Sequence, residues 1–204
     1  MSPEFEELET FCAAEHATVL ARECRTPSIE TVLPCKHKLE GAPGSLDVKE
    51  LNEIISESAR SQLAVFYGRR ASAKLFVVED EAGIYLAPTL EWPLLFNEVH
   101  EWWSAAAADL EDDERSVLES AVVFGRIPAS ATFFLLASDD AFPGIYMFTG
   151  PGLEIARIAD DFSDFLRRIP AEAFGWLRSD VRYCYEDRGL QFCPVEYRAG
   201  RNVA

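Results

Sequence analysis

The chain has 204 residues, 49% of them hydrophobic and 12% aromatic, enough for a sizeable core in one domain with trimmings or in two small ones. Its net charge of −16, from 35 acidic and 19 basic residues, speaks against a nucleic-acid binder, which needs clustered Lys and Arg, and against docking on an anionic membrane. What the charge favours is solubility and the steering of a basic partner.

The first eleven residues, MSPEFEELETF, are acidic where a signal peptide is basic, and no run approaches the ~18 apolar residues of a membrane span. The expectation is a cytoplasmic protein whose five cysteines are free thiols, several of them buried. Residues 4–24 predict a helix, with Phe5, Leu8, Phe11 and Cys12 on one face and Glu4, Glu6, Glu7 and Glu9 near its positive end. Residues 25–47 carry three prolines and two glycines and read as loop, with one short strand near 29–33. The GAPGS stretch at 41–45 is the best candidate boundary, which makes 1–46 an appendage.

A second helix is predicted over 47–67, with Asp47 as its cap and Gly68 placed as its C′ glycine. Residues 75–78 and 84–86 flank the turn EDEAG as a hairpin. A third helix starts near Pro93 and runs to about Leu110. The run 109–114 then has five acids in six residues, and 98–119 holds eight acids against the single Arg115. Next come three short apolar runs, at 122–124, 132–137 and 144–148. The second, TFFLLA, is apolar on consecutive positions, which suits a central strand covered on both faces. Gly150-Pro151-Gly152 predicts a chain reversal. Asp160 can cap a helix whose Phe162, Phe165, Leu166 and Ile169 form one stripe. Beyond it, 171–177 reads as a short helical turn, and 181–185 with 190–195 as a hairpin around EDRG.

The reaction chemistry that could be sought here lacks its residues. Cys35-Lys36-His37 is too closely spaced for zinc, and Cys184 and Cys193 have no histidine near them. His100 lies in EVHEWWS, where HExxH fails at Ser104. There is no GxSxG, GxGxxG or P-loop. Neither a catalytic residue nor a metal or cofactor is assigned. Trp102 and Trp103 are about 100° apart on a helix, so both can be packed, or one can anchor a partner among the surrounding acids.

The order helix, hairpin, tryptophan, helix, meander, closing helix resembles the SMI1/KNR4 family of the SUKH superfamily. The resemblance is carried by RSQLAVFY at 60–67, by Leu75-Phe76, by GIYL at 83–86 with LEW at 90–92, and by VFG at 123–125. FFLL at 133–136, GIY at 144–146 and IADDFSDFL at 158–166 complete it. The Asn-Gly turn common after the family's first helix is replaced here by 68–74. The resemblance covers 47–170 and leaves 171–204 as an extension. It implies an α+β fold, a central mostly antiparallel sheet wrapped by helices. It also implies an immunity-type protein that neutralises a toxin, often a nuclease, or a scaffold or regulatory module. A nuclease is basic where it grips phosphates, so the expected partner-binding residues are Asp109, Glu111, Asp112, Asp113, Glu114, Asp139, Asp140, Trp102 and Trp103. Two alternatives are a small-molecule or peptide site between the closing helix and the sheet, and an enzyme built on converging carboxylates with a histidine.

Overall fold

The segment TFFLLA forms a strand buried at every position, Thr132–Ala137, and the molecule is built around it. The computed structural model describes residues 3–14, 16–24, 29–42, 55–105, 110–128, 130–137, 141–180, 183–185 and 190–200. In chain order the elements are α1 (Pro3–Cys12), β1 (Thr18–Glu23), β2 (Glu30–Pro34), β3 (Lys36–Glu40), α2 (Glu57–Tyr67), β4 (Ser72–Val77) and β5 (Ile84–Leu86). There follow α3 (Trp92–Ser104), α4 (Asp112–Ser120), β6 (Ala121–Ile127), β7 (Thr132–Ala137), β8 (Gly144–Thr149) and β9 (Glu154–Ala159). The chain closes with α5 (Phe162–Asp180), β10 (Tyr183–Tyr185) and β11 (Leu190–Arg198). The fold is α+β: a seven-stranded antiparallel sheet ordered β3-β4-β5-β6-β7-β8-β9, and a four-stranded sheet ordered β10-β11-β1-β2.

Helix α5 covers one face of the large sheet with aromatic rings. Phe165 packs on Phe124 and Phe134 at 5.3 and 5.5 Å, and Trp176 stacks on Phe165 at 5.6 Å. The helix runs unbroken through Pro170, although proline removes a backbone donor and costs roughly 3 kcal/mol in a helix interior. The reason is packing, because Phe162, Leu166, Ile169, Ala173 and Leu177 continue one fully buried stripe across the proline. Helices α3 and α4 contact β6 and β7 and supply further cover. The ion pair Arg126–Glu98, at 3.1 Å, ties α3 to β6.

Several local expectations are corrected: the third helix ends at Ser104 short of Leu110, residues 25–47 hold a second strand (β3), and 171–177 is part of α5. The first helix stops at Cys12 instead of 24. His16 turns the chain with φ +64°, and β1 pairs with β11 and β2, partners that no local window contains. Helix α2 begins at Glu57, capped by Ser56, whose Oγ accepts the Ala59 N–H at 3.2 Å; Asp47 lies outside the described residues. Gly68 ends that helix in the right-handed region, at φ −68°, not the left-handed one. The cap of α5 is Asp161, whose Oδ1 accepts the Asp164 N–H at 2.7 Å, while Asp160 pairs with Arg157. The strands expected at 29–33, 75–78, 84–86, 122–124, 132–137 and 144–148 are present within a residue or a few, as is the pairing of the last two strands; the EDRG turn itself lies outside the described residues.

A second ring cluster joins the terminal elements to the large sheet. Phe11 of α1, His37 of β3, Phe76 of β4, Phe174 of α5 and Tyr197 of β11 lie within ring contact of one another. His37 is opposite a bulge in the β3–β4 pairing, and Phe76 takes φ +53° there. The Phe76 N–H donates to His37 Nδ1 at 3.1 Å, so the other ring nitrogen, Nε2, carries the proton and donates to Tyr197 OH at 3.0 Å.

Candidate protein-binding site

Helix α4 starts inside the acidic run because the run caps itself. The Glu111 side chain accepts the backbone N–H of Glu114, and the Glu114 carboxylate accepts the Glu111 N–H at 3.1 Å, a reciprocal capping box. Asp113 Oδ1 also takes the Glu114 N–H, at 3.0 Å. Negative charge in a first turn lies at the positive end of the helix dipole and is favourable there. Val117 and Leu118 are buried and hold the helix on the sheet. The result is a self-capped turn on which Glu111, Asp112 and Asp113 are exposed and Glu114 is half-buried.

Beside this turn lies a cleft of about 190 Å³, walled by Glu111, Asp113 and Glu114 on one side and by Phe142, Tyr146 and Ile155 on the other. Strands β8 and β9 bring Tyr146 and Ile155 to it. Tyr146 OH donates to the Phe142 carbonyl at 3.2 Å, which fixes its ring. Burial raises the Tyr146 phenol above its usual range; Arg157 opposes that rise and Asp113 adds to it. The cleft thus combines carboxylates with an aromatic wall, a setting suited to the stem and charge of a lysine or arginine.

Trp102 and Trp103 divide. Trp103 is 7% exposed and lies in the core, edge-on to His100 at 4.9 Å. Trp102 is 43% exposed and lays its ring on Gly150, where a Cβ would stand 2.7 Å from ring atom Cδ2. Gly150 directly follows β8, the strand that carries Tyr146. Asp109, Asp139 and Asp140 lie outside the described residues. Phe142, Tyr146 and Ile155 escaped the sequence reading. Strand alternation could have separated Tyr146 from its buried neighbour Ile145.

The groove expected between the closing helix and the sheet is filled by Phe124, Phe134, Phe162, Phe165 and Trp176. A separate apolar groove of about 390 Å³ lies between α3 and β6, lined by Trp92, Phe96, Val122 and Val123, with Asn97 and Glu119 as its polar members. Among the described residues, no three His, Cys, Asp or Glu side chains are grouped as a metal site requires, and no helix is long and apolar enough to cross a membrane. No protein-family model, no curated protein and no solved structure matches the chain.

Proposed function

We propose that this chain is a non-catalytic protein-binding module of SMI1/KNR4-like fold, an immunity-type protein that neutralises a basic toxin of nuclease type in a bacterial toxin system. The observation that carries the reading is the self-capped first turn of α4, whose exposed carboxylates edge the cleft beneath Tyr146. A preorganised acidic turn costs little to order on binding and accelerates encounter with a basic surface. The same surface of a nuclease grips phosphate, so covering it would block the enzyme. Trp102, exposed and backed by Gly150, adds an aromatic contact of the kind that anchors interfaces.

The test starts with a pull-down from the native strain, followed by association kinetics of the captured partner at several salt concentrations. The double variant Asp112→Lys, Asp113→Lys should associate at least tenfold more slowly at low salt and with a flatter salt dependence. Kinetics unchanged by that reversal would remove the acidic turn from the interface. A second reading rests on the groove at Trp92 and Phe96, whose volume falls within the range of small-molecule sites. It makes the protein a small-molecule- or peptide-binding regulatory module, and saturable shifts of groove signals in a ligand screen would favour it.

A further inference from the structure

Four of the five cysteines fall into two kinds of setting. Burial pushes the Cys12 thiol up to about 12, with Glu9 adding to it, and pushes Cys35 up to about 12 as well. Both are protonated at neutral pH and shielded, and a protonated, buried thiol is a poor nucleophile. Cys24 and Cys193 are placed differently. Cys24 directly follows β1 and is exposed; Cys193 lies on β11 and is half-buried.

The β1–β11 register sets Glu23 opposite Phe192 and Arg22 opposite Cys193, and the Cys24 N–H donates to the Gln191 carbonyl at 2.8 Å. Cys24 and Cys193 are therefore diagonal cross-strand neighbours on one face of the small sheet. Their sulfur atoms are 2.7 Å apart, inside ordinary non-bonded separation and close to the ~2.05 Å of a disulfide.

We propose that Cys24 and Cys193 form a reversible thiol–disulfide pair whose oxidant is a low-molecular-weight disulfide. The exposed Cys24 thiolate attacks one sulfur of the small disulfide, forms a mixed disulfide and releases one small thiolate. The Cys193 thiolate then attacks the Cys24 sulfur and releases the second. Two protein thiols give up two electrons and two protons, and one small disulfide becomes two small thiols. An excess of small thiol runs the steps backwards. The new bond joins residues 169 apart in sequence and staples the N-terminal strand to the C-terminal one.

The experiment incubates the full chain, folded, in buffers of oxidised and reduced glutathione, traps thiols by alkylation and maps disulfides by non-reducing peptide mass analysis. A Cys24–Cys193 peptide pair should appear with oxidation, vanish with excess reduced glutathione and be absent in Cys24→Ser. It should persist in Cys184→Ser, which keeps both sulfurs. The oxidised chain should melt on the order of 10 °C higher than the reduced one, since a loop this long is strongly constrained in the unfolded state. Glutathione that remains on Cys24 without exchange, or a map that joins Cys193 to Cys184 instead, would overturn the assignment.

Discussion

His37 makes the folded chain sensitive to mild acid. It sits 9% exposed among Phe11, Phe76 and Tyr197, and burial lowers its pKa from 6.5 to about 4. Protonation would also turn Nδ1 from acceptor to donor against the N–H of Phe76, whose backbone is left-handed, a conformation that costs about 1–3 kcal/mol in a non-glycine residue. The unfolded chain takes up the imidazole proton near pH 6.5 and the folded chain does not until about pH 4. Between those values the unfolded state binds more protons, so stability falls as pH falls. The full loss is about 3 kcal/mol, reached below pH 4, from 1.36 kcal/mol per pKa unit. About 2 kcal/mol of it is gone by pH 5, where carboxylates of ordinary pKa are still mostly ionised.

The assay is urea unfolding at pH 7 and pH 5 of the wild type and of His37→Asn. Asparagine can place an amide oxygen where Nδ1 accepts from Phe76, but it carries no titrating proton. The variant should be less stable at pH 7, through loss of the Tyr197 bond and ring packing, and its stability should change less between the two pH values, by about 2 kcal/mol. Every other titrating group contributes equally to both proteins and cancels in the comparison. Equal losses in wild type and variant, or a His37 ring that titrates near 6.5 by NMR, would refute the reasoning.

Two further substitutions probe local statements. Asp161→Ala should cost about 1 kcal/mol in urea unfolding, because it removes the cap of α5, whereas Asp160→Ala removes only an exposed pair with Arg157 and should stay within about 0.5 kcal/mol; the reverse order would return the cap to Asp160. Gly150→Ala puts a methyl group 2.7 Å from the Trp102 ring, so the indole must lift away. A loss of about 1–3 kcal/mol with greater acrylamide quenching of tryptophan is expected, and unaltered quenching would contradict the Trp102–Gly150 contact.

What could be read from residues alone followed the range of the interactions concerned. The consecutive apolar residues of β7 and the helical stripe of α5 declare burial through short-range pattern, and both elements are where that pattern puts them. Strand β1 lies in a stretch whose local pattern predicts helix, because its ladder partner, β11, lies some 170 residues away and nothing near Thr18 announces it. Strand β9 carries no strand signal, because an edge strand exposes Glu154 and Arg157 and shows no apolar alternation. Helix α4 was hidden by its own acidity, since the capping box uses glutamate at both ends where serine or threonine is the familiar signal. The acids of the candidate site were visible as a charge run. The aromatic wall that makes them a cleft depends on the register of β8 and β9 beneath α4, which no spacing rule supplies.

The terminal segments bear directly on whether the middle of the chain can stand alone. Strand β3, within the first 46 residues, is hydrogen-bonded to β4 as an edge of the large sheet, and α1 packs on α5. Phe5 meets Phe66 edge-on at 6.1 Å, and Leu8, Val19 and Leu33 are buried with it. Each such side chain contributes roughly 1.5–3 kcal/mol by leaving water. Four of them together rival the ~5–15 kcal/mol net stability of an ordinary domain. Deleting 1–46 would uncover the β4 edge, strip β11 of the strand that pairs along most of its length and open the ring cluster around Phe76. A fragment of residues 47–204 should therefore lose near-ultraviolet circular dichroism and unfold without a cooperative urea transition. If it unfolds cooperatively at the midpoint of the full chain, the N-terminal elements are ornament on a self-sufficient sheet, and the packing argument for them fails.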